Sequence, residues 1–130
     1  AGKAFSAGAD LEDFPLDINN ATITKDRLKF WHKVLLGIRN MEKPVITAIN
    51  GAAFGAGLSL ALACDILIAK KGVKMGTAFI GIGLAPGCGT QLLTKLVGYQ
   101  KACEYILTSK IFTVEEAEKL RKNIFKGSST

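Results

Sequence analysis

The sequence is poor in the residues that build disulfides and metal sites. It contains three cysteines and one histidine in 130 residues. Cys64, Cys88 and Cys103 form no C-x-x-C pair, and this odd set fits neither a disulfide framework nor a zinc ribbon. We therefore predict a reducing, cytoplasmic setting and no metal site.

Long uninterrupted apolar runs are also missing from the sequence. The longest apolar stretch, residues 47–69, is broken by Asn50, Ser59, Asp65 and several glycines. A membrane-spanning helix needs about 20 predominantly apolar residues in succession. The first residues, AGKAFSAGAD, lack the charged and apolar regions of a signal peptide, and we expect the chain to start within a domain. No membrane association is predicted.

The overall composition is that of an ordinary globular domain, with 48% hydrophobic and 22% charged residues. We predict a single domain over residues 1–130. The mean hydropathy of +0.26 is high for a free monomer and predicts apolar surface that needs a partner. The net charge of +6 favours an anionic partner. The basic residues form no nucleic-acid-binding motif, so nucleic acid is not the predicted partner.

Apolar periodicity predicts an α/β domain. Spacings of three and four residues predict an amphipathic helix over about residues 25–40. After Pro44, the β-branched run 45–49 predicts a buried strand, and residues 65–69 predict a second strand. Small residues between the two strands predict a closely packed helix. Residues 4–11 and 51–57 are small and glycine-rich, which is typical of loops.

The second half of the chain is predicted to be mainly helical. A glycine series from Gly76 to Gly89 leads into predicted helices at about residues 90–97 and 100–108. Thr113 and Glu116 are spaced as in a capping box, so a further helix should begin there. Alternating strands and helices of this kind favour an α/β class.

The segment Gly55-Ala56-Gly57 lies between a predicted strand and a predicted helix. Amides at a helix N-terminus lack internal partners and bind anions. The alternative is that these glycines only permit a tight turn. A dinucleotide fingerprint fails because Leu60 stands where its third glycine belongs, and a P-loop fails because no Gly-Lys-Ser/Thr follows.

Two longer segments carry a specific resemblance. GKAFSAGADL, followed by KPVITAINGAAFGAGLSLALACDI, strongly resembles the enoyl-CoA hydratase/isomerase (crotonase) family. The resemblance continues through GIGLAPGCGTQLLTKLVG and ILTSKIFTVEEAEKL, to about Leu120. It implies a crotonase-like α/β fold, a spiral of strand-strand-helix units, present here as a partial domain.

The resemblance also implies the site residues. Backbone N–H groups of Ala9 and Ala56 would form an oxyanion hole for a thioester. Lys3 would approach a CoA phosphate, although a solvated surface lysine is the simpler alternative. The other positions implied to contact substrate or CoA are Ala7, Gly8, Asp10, Leu11, Gly57 and Gly87.

The acid/base residues depart from the family pattern. Ser59 and Phe79 stand where hydratases of the family carry two glutamates, and neither can act as a carboxylate base. Gly87 stands where some isomerases have an acid, and Ala85 where the dehalogenase subgroup has its nucleophile.

His32, in a Trp-His pair like that of the dehalogenase subgroup, is the remaining acid/base candidate. The alternative for His32 is a packed core histidine. The side chains of Glu12, Asp13 and Cys88 are weaker candidates.

The sequence therefore predicts an enzyme acting on an acyl-CoA, with double-bond isomerisation favoured over hydration. Isomerisation needs one proton carrier, whereas hydration needs a positioned water as well. The alternatives are a binding module for acyl-CoA with little chemistry of its own, and a structural α/β domain. No cofactor beyond the CoA moiety is implied, and the family resemblance implies a homotrimer or a dimer of trimers.

Overall fold

The computed structural model describes residues 2–12, 21–87 and 89–126. Over these ranges, short strands and helices alternate along the chain. The strands are β1 (Ala4–Ser6), β2 (Ile46–Ile49), β3 (Ala52–Phe54), β4 (Ile66–Ala69), β5 (Lys74–Gly76) and β6 (Phe112–Thr113). The α-helices are α1 (Ala21–Arg39), α2 (Ala56–Ala63), α3 (Leu93–Val97), α4 (Tyr99–Leu107) and α5 (Val114–Lys126). Single 3₁₀ turns occur at Ile80–Ile82 and Thr90–Leu92.

The strands form two sheets, and the chain alternates between them. One sheet has the order β1-β3-β5-β6, in which β1, β3 and β5 are parallel and β6 is antiparallel to β5. The other contains β2 and β4 in parallel, with Ile46 opposite Ile66 and Ile49 opposite Ala69. Consecutive strands β1 to β5 therefore fall in different sheets, which gives the predicted spiral of strand-strand-helix units.

Four strands differ from the sequence-based expectation. β1 and β3 lie inside segments predicted to be loops, and neither β5 nor β6 is among the predicted strands. Alanine and glycine are depleted in strands, so these segments lacked a strand pattern. Ala53, in β3, is fully buried in the sheet, and its small side chain permits close packing there.

The second sheet is buried on one face only, so the prediction of a fully buried strand at residues 45–49 is wrong for the described residues. In β2, Thr47 and Ile49 are buried, whereas Ile46 is 59% exposed. In β4, Ile66 and Ile68 are 48% and 58% exposed. Continuous apolar strands usually have both faces covered, but the described residues cover only one face here.

The first two helices pack in different ways. α1 begins four residues earlier than predicted, and its packed stripe includes the buried Leu35 and the half-buried Trp31. α2 is buried almost all round because it consists largely of alanine, leucine and glycine. Such small residues let α2 lie between α1 and the four-stranded sheet.

The C-terminal helices complete the core. Tyr105 of α4 stacks on Phe112 of β6, with ring centroids 4.6 Å apart. The predicted capping box at α5 is confirmed. The Thr113 N–H donates to Glu116 Oε2 at 2.7 Å, and the Glu116 N–H donates to Thr113 Oγ1 at 3.3 Å. α3 and α4 confirm the helices predicted at 90–97 and 100–108, although the first begins with a 3₁₀ turn.

Candidate active site

A cavity of about 580 Å³ lies where β1, β3 and β5 end. These strands are parallel neighbours, with Ser6 opposite Ala53 and Phe54 opposite Gly76. Their carboxyl ends therefore meet at one edge of the sheet, and the loops that follow share one space. Residues lining the cavity are Ala7, Gly8, Ala9, Asp10, Leu11, Gly55, Ala56, Thr77, Ala78, Phe79, Ile82 and Leu84.

One wall of the cavity is made by the turn from β3 into α2. Gly55 adopts φ 54° and ψ −125°, and a side chain would strain this conformation. The Gly55 N–H donates to Gly76 O at 2.9 Å, which ties the turn to β5. Ala56 then begins α2, and its N–H is one of the helix-terminal amides without an intrahelical acceptor.

The loop after β1 lies directly against this turn. Gly8 has φ 103°, and its N–H donates to Ser6 Oγ at 3.2 Å. A Cβ atom built on Gly8 would lie 3.0 Å from Phe54 O and 3.2 Å from Ala56 N. The next residue, Ala9, lines the same cavity as Ala56. Within residues 2–12, 21–87 and 89–126, neither the Ala9 nor the Ala56 amide has a hydrogen-bond acceptor.

Gly57 lies behind the cavity wall and not on it. A Cβ atom there would approach Ser6 Cβ and Oγ to 2.6 Å and Ser6 O to 2.7 Å. Real Cβ atoms essentially never make contacts this short. The missing side chain of Gly57 therefore lets α2 pack directly on β1, which holds the Ala9 and Ala56 segments together.

A second wall is formed by the chain after β5. Thr77, Ala78 and Phe79 follow the strand, and Ile82 and Leu84 complete this wall. Thr77 is 4% exposed, and its Oγ1 has no hydrogen-bond partner among the described residues. Ala78 has φ 56°, a left-handed conformation that is unfavourable for a residue with a Cβ atom.

The two positions where the family's hydratases carry glutamates differ in their surroundings. Ser59 is 2% exposed within α2, and its Oγ lies 3.4 Å from Gly55 O. Phe79 lines the cavity, and Ser59 does not. Of the described residues that line the cavity, only Asp10 has a carboxylate. Asp10 Oδ1 also accepts the Glu12 N–H at 3.0 Å.

The structure brings part of the predicted site together. Ala7, Gly8, Ala9, Asp10, Leu11, Ala56 and Phe79 line the cavity. Lys3, His32 and Ala85 are exposed, Gly87 is partly buried, and none of these four lines it. His32 is therefore not the packed core residue of the alternative interpretation. Glu12 is exposed, and Asp13 and Cys88 lie outside the described residues.

A second cavity of about 450 Å³ adjoins the first across the loop after β1. Ala9 and Asp10 line both cavities. The α1 face of the second cavity is formed by Ile23, Asp26, Arg27, Phe30 and Trp31. Asp10 is thus shared between an apolar cavity and one bordered by α1.

Sequence reasoning missed much of the second wall. Thr77, Ala78, Ile82 and Leu84 lie in a segment without periodicity, and the β5 strand that positions them was not predicted. The glycine series and the family resemblance run through this segment, but among its wall residues only Phe79 is assigned a site position from the sequence. Its neighbours Thr77 and Ala78 could have been flagged from that position alone.

Further observations on the described residues concern thiols, metals and membranes. Burial, with a contribution from Asp65, raises the pKa of Cys64, which keeps this thiol protonated at neutral pH. The described part of the chain holds no group of three metal-ligating side chains. Over the same residues, no helix combines the length and apolar character needed to cross a bilayer.

Comparison with known proteins identifies the family. The sequence profile of the family described as "Enoyl-CoA hydratase/isomerase" matches residues 1–120. The fold and the strand-end cavity define a crotonase-type α/β protein, and the chain belongs to the enoyl-CoA hydratase/isomerase family. The predicted fold class is thereby confirmed.

Individual relatives include proteins with different named activities. The chain is 41% identical over 118 residues to "Probable enoyl-CoA hydratase, mitochondrial" of Dictyostelium discoideum, covering 90% of this chain and 41% of that protein. It is 36% identical over 119 residues to 4-chlorobenzoyl coenzyme A dehalogenase-1 of Arthrobacter sp, covering 89% of this chain and 43% of that protein.

The crystal structure of an enoyl-CoA hydratase from Polaromonas sp. JS666 superposes with a TM-score of 0.82 at 30% identity. The match covers 92% of this chain and 47% of that one. The chain thus spans less than half the length of the relatives that it matches.

Proposed function

We propose that this chain supplies the thioester-binding and oxyanion-stabilising part of an acyl-CoA-transforming enzyme. The supporting observation is the placement of Ala9 and Ala56 on one cavity, both with amides that lack acceptors among the described residues. Two such donors suit one thioester carbonyl oxygen. Family membership favours an acyl-CoA as the substrate.

The chemistry follows from where negative charge develops. Removal of a proton from the carbon next to a thioester carbonyl places the electron pair on the carbonyl oxygen as an enolate. Amides that are already oriented stabilise this oxygen without reorganising, and losing one such donor typically costs about 3 kcal/mol of transition-state stabilisation. The apolar side chains of Phe79, Ile82 and Leu84 line the same cavity, and an apolar surrounding strengthens the interaction of such amides with a charged oxygen.

Isomerisation of a double bond is favoured over hydration. Ser59 is buried in α2 and Phe79 is apolar, so neither can orient a water molecule as a carboxylate does. Isomerisation requires only that one group removes a proton at one carbon and returns it at another.

Asp10 is the group that we assign to this proton transfer. Asp10 lines both cavities, whereas His32, the candidate from sequence, lines neither. Within hydrogen-bonding reach of a substrate, a carboxylate can shuttle a proton between neighbouring carbons.

The rest of the CoA is assigned to the loop after β1. Ala7, Gly8 and Leu11 would contact the pantetheine and adenine, and the exposed Lys3 would meet a phosphate. Gly57 would act indirectly, by holding α2 against β1. Gly87 would lie at the edge of the site. Three further points remain predictions: the protein uses no cofactor besides CoA, it is cytoplasmic, and it forms a homotrimer or a dimer of trimers. Light scattering on the purified protein tests the trimer.

The donor role of Ala56 is tested by removing its N–H. Ala56→Pro does so at a first helical position, where the ring of proline is accepted. We expect deuterium exchange at the α carbon of butyryl-CoA to slow about 100-fold. Ala21→Pro, at the first position of α1, is the matched control and should exchange at the wild-type rate. Unchanged exchange in Ala56→Pro would contradict the proposal.

The proton carrier is tested separately with Asp10→Asn. Asparagine keeps an oxygen that can accept the Glu12 N–H, so the turn survives while the base is lost. We expect exchange to slow by about 100-fold or more, the usual contribution of a general base. His32→Gln is the comparison variant and should leave the rate unchanged. The reverse result would assign the role to His32.

The alternative function, a binding module for acyl-CoA, is favoured by a different observation. Ser59 and Phe79 stand at the two positions where the family's hydratases carry glutamates. Calorimetry with butyryl-CoA, combined with the exchange assay, separates the two functions. Tight binding without any exchange by the wild-type protein would favour the module. Failure to bind any acyl-CoA would leave only a structural domain.

A further inference from the structure

Thr77 holds a buried hydroxyl that the described residues leave without a hydrogen-bond partner. The residue is 4% exposed and lies in the wall of the first cavity. A buried hydroxyl is both a donor and an acceptor, and leaving it unpaired is unfavourable. The proposed acyl-CoA chemistry gives this hydroxyl no role.

The position of Thr77 relative to the amide pair is fixed by β5. Thr77 O lies 3.7 Å from a Cβ atom built on Gly55, the residue that precedes Ala56. The Thr77 backbone is therefore next to the turn that carries the Ala56 amide, and an acyl group whose thioester oxygen is held at that amide would enter the cavity that Thr77 lines.

The local backbone supports a functional origin for this arrangement. Ala78, the next residue, is one of two described non-glycine residues with positive φ, and it also lines the cavity. Strained backbone of this kind concentrates at binding and catalytic sites. The conformation of Ala78 sets the direction in which the chain continues after Thr77.

The neighbouring side chains offer Thr77 no alternative partner. Phe79, Ile82 and Leu84 are apolar and form the same wall. A ligand in the cavity can supply the missing hydrogen-bond partner as an oxygen atom. The Thr77 hydroxyl is closed off from solvent. To reach a ligand in the cavity, it would rotate about the Cα–Cβ bond from one staggered position to another.

We propose that Thr77 is a specificity-determining residue that donates a hydrogen bond to an oxygen carried by the acyl group close to the thioester carbonyl. The cavity thereby prefers oxygenated acyl groups to saturated ones of equal length. This inference rests on the proposed function, because it requires an acyl-CoA in the cavity.

The test uses two four-carbon thioesters. Acetoacetyl-CoA has an oxygen on the carbon β to the thioester, and butyryl-CoA has none. Isothermal titration calorimetry gives the ratio of the two affinities for each variant. We expect Thr77→Val to lower the wild-type preference for acetoacetyl-CoA about fivefold, the loss of one hydrogen bond. Thr77→Ser, which keeps the hydroxyl, should retain most of the preference.

Thr47→Val is the matched control, because Thr47 is a buried threonine in β2 outside the cavity lining. It should leave the affinity ratio unchanged. An identical ratio in wild type and Thr77→Val would overturn the inference about Thr77 while leaving the proposed function intact. If the wild type bound neither thioester, the proposed function itself would be contradicted. Thr77→Ala replaces the valine variant if that variant does not fold.

Discussion

The two walls of the cavity are built from different parts of the chain. The backbone wall, Ala7–Leu11 with Gly55 and Ala56, presents main-chain groups held by close contacts. The side-chain wall, Thr77–Leu84, presents a hydroxyl, an aromatic ring and aliphatic groups. An added methyl group at Gly8 would meet backbone atoms at 3.0 Å and 3.2 Å, whereas one at Gly83 would meet nothing within 4 Å.

The difference between the backbone wall and the side-chain wall indicates that the two walls have separate functions. Substitutions other than proline leave the backbone amides in place, so a site that depends on these amides keeps the same electrostatic function while its side chains vary. The side-chain wall can change without moving these amides. We infer that the backbone wall supplies the chemistry common to the family and that the side-chain wall adjusts which acyl group is accepted.

Gly57→Ala should have the largest effect on stability. The added Cβ atom would meet Ser6 at 2.6 Å and force α2 away from β1. We expect a loss of about 3 kcal/mol in the free energy of unfolding, the upper range for overpacking. Urea denaturation monitored by circular dichroism measures it, and exchange activity should fall with it.

Gly37→Ala is the control for that prediction. Gly37 lies within α1, and a Cβ atom there would have no neighbour within 4 Å. Alanine should stabilise this helix by about 1 kcal/mol relative to glycine. Equal effects of the two substitutions would show that the backbone wall is not closely packed.

A smaller effect is expected on the side-chain wall from Ala78→Gly. Relief of the positive φ should gain about 1 to 2 kcal/mol, and the entropy of glycine should cost about 0.5 to 1 kcal/mol. The net change should be a slight stabilisation, seen as a raised urea midpoint. Ala48→Gly, on the exposed face of β2, lacks the strain and should lower the midpoint. A lowered midpoint in Ala78→Gly would show that Ala78 is not strained.

The smallest effect is expected away from both walls, at Glu115. A hydrogen bond from its own backbone N–H, and next the Gly72 N–H donated to Glu115 Oε1 at 2.7 Å, lower the pKa of this carboxyl group. Its contribution to stability is therefore present above the unfolded-state pKa, about 4.3, and is lost as the pH falls through the lowered value.

Glu115→Gln should make the melting temperature less dependent on pH in that acidic range. The cavity, and therefore the exchange rate at neutral pH, should be unaffected. A pH dependence identical to that of wild type would show that the hydrogen bond to Gly72 contributes nothing measurable.

The sequence predicted the backbone wall better than the side-chain wall. The spacing of glycines around Ala9 and Ala56 reflects backbone conformations and close approaches, such as that at Gly57, which only glycine permits. Thr77 and Ala78 carry no such pattern. Their importance depends on burial and on a backbone angle, which appear only when β5 is paired with β3.

The helices and the second sheet show the same limit of prediction from sequence, because local patterns can be recognised and long-range pairing cannot. α1 and the cap of α5 follow from local periodicity and side-chain spacing, so both were predictable. β1 and β3 contain alanines whose strand conformation is set by pairing with each other, which is a long-range effect. The exposed face of β2 and β4 could not be predicted, because an apolar run indicates burial without showing what covers it.

The most direct test of the account is a crystal structure of the protein with bound butyryl-CoA. The account predicts that the thioester oxygen lies about 2.7 to 3.1 Å from both the Ala9 and the Ala56 nitrogen atoms. A thioester oxygen beyond hydrogen-bonding distance of either nitrogen, with the acyl group in this cavity or elsewhere, would contradict it.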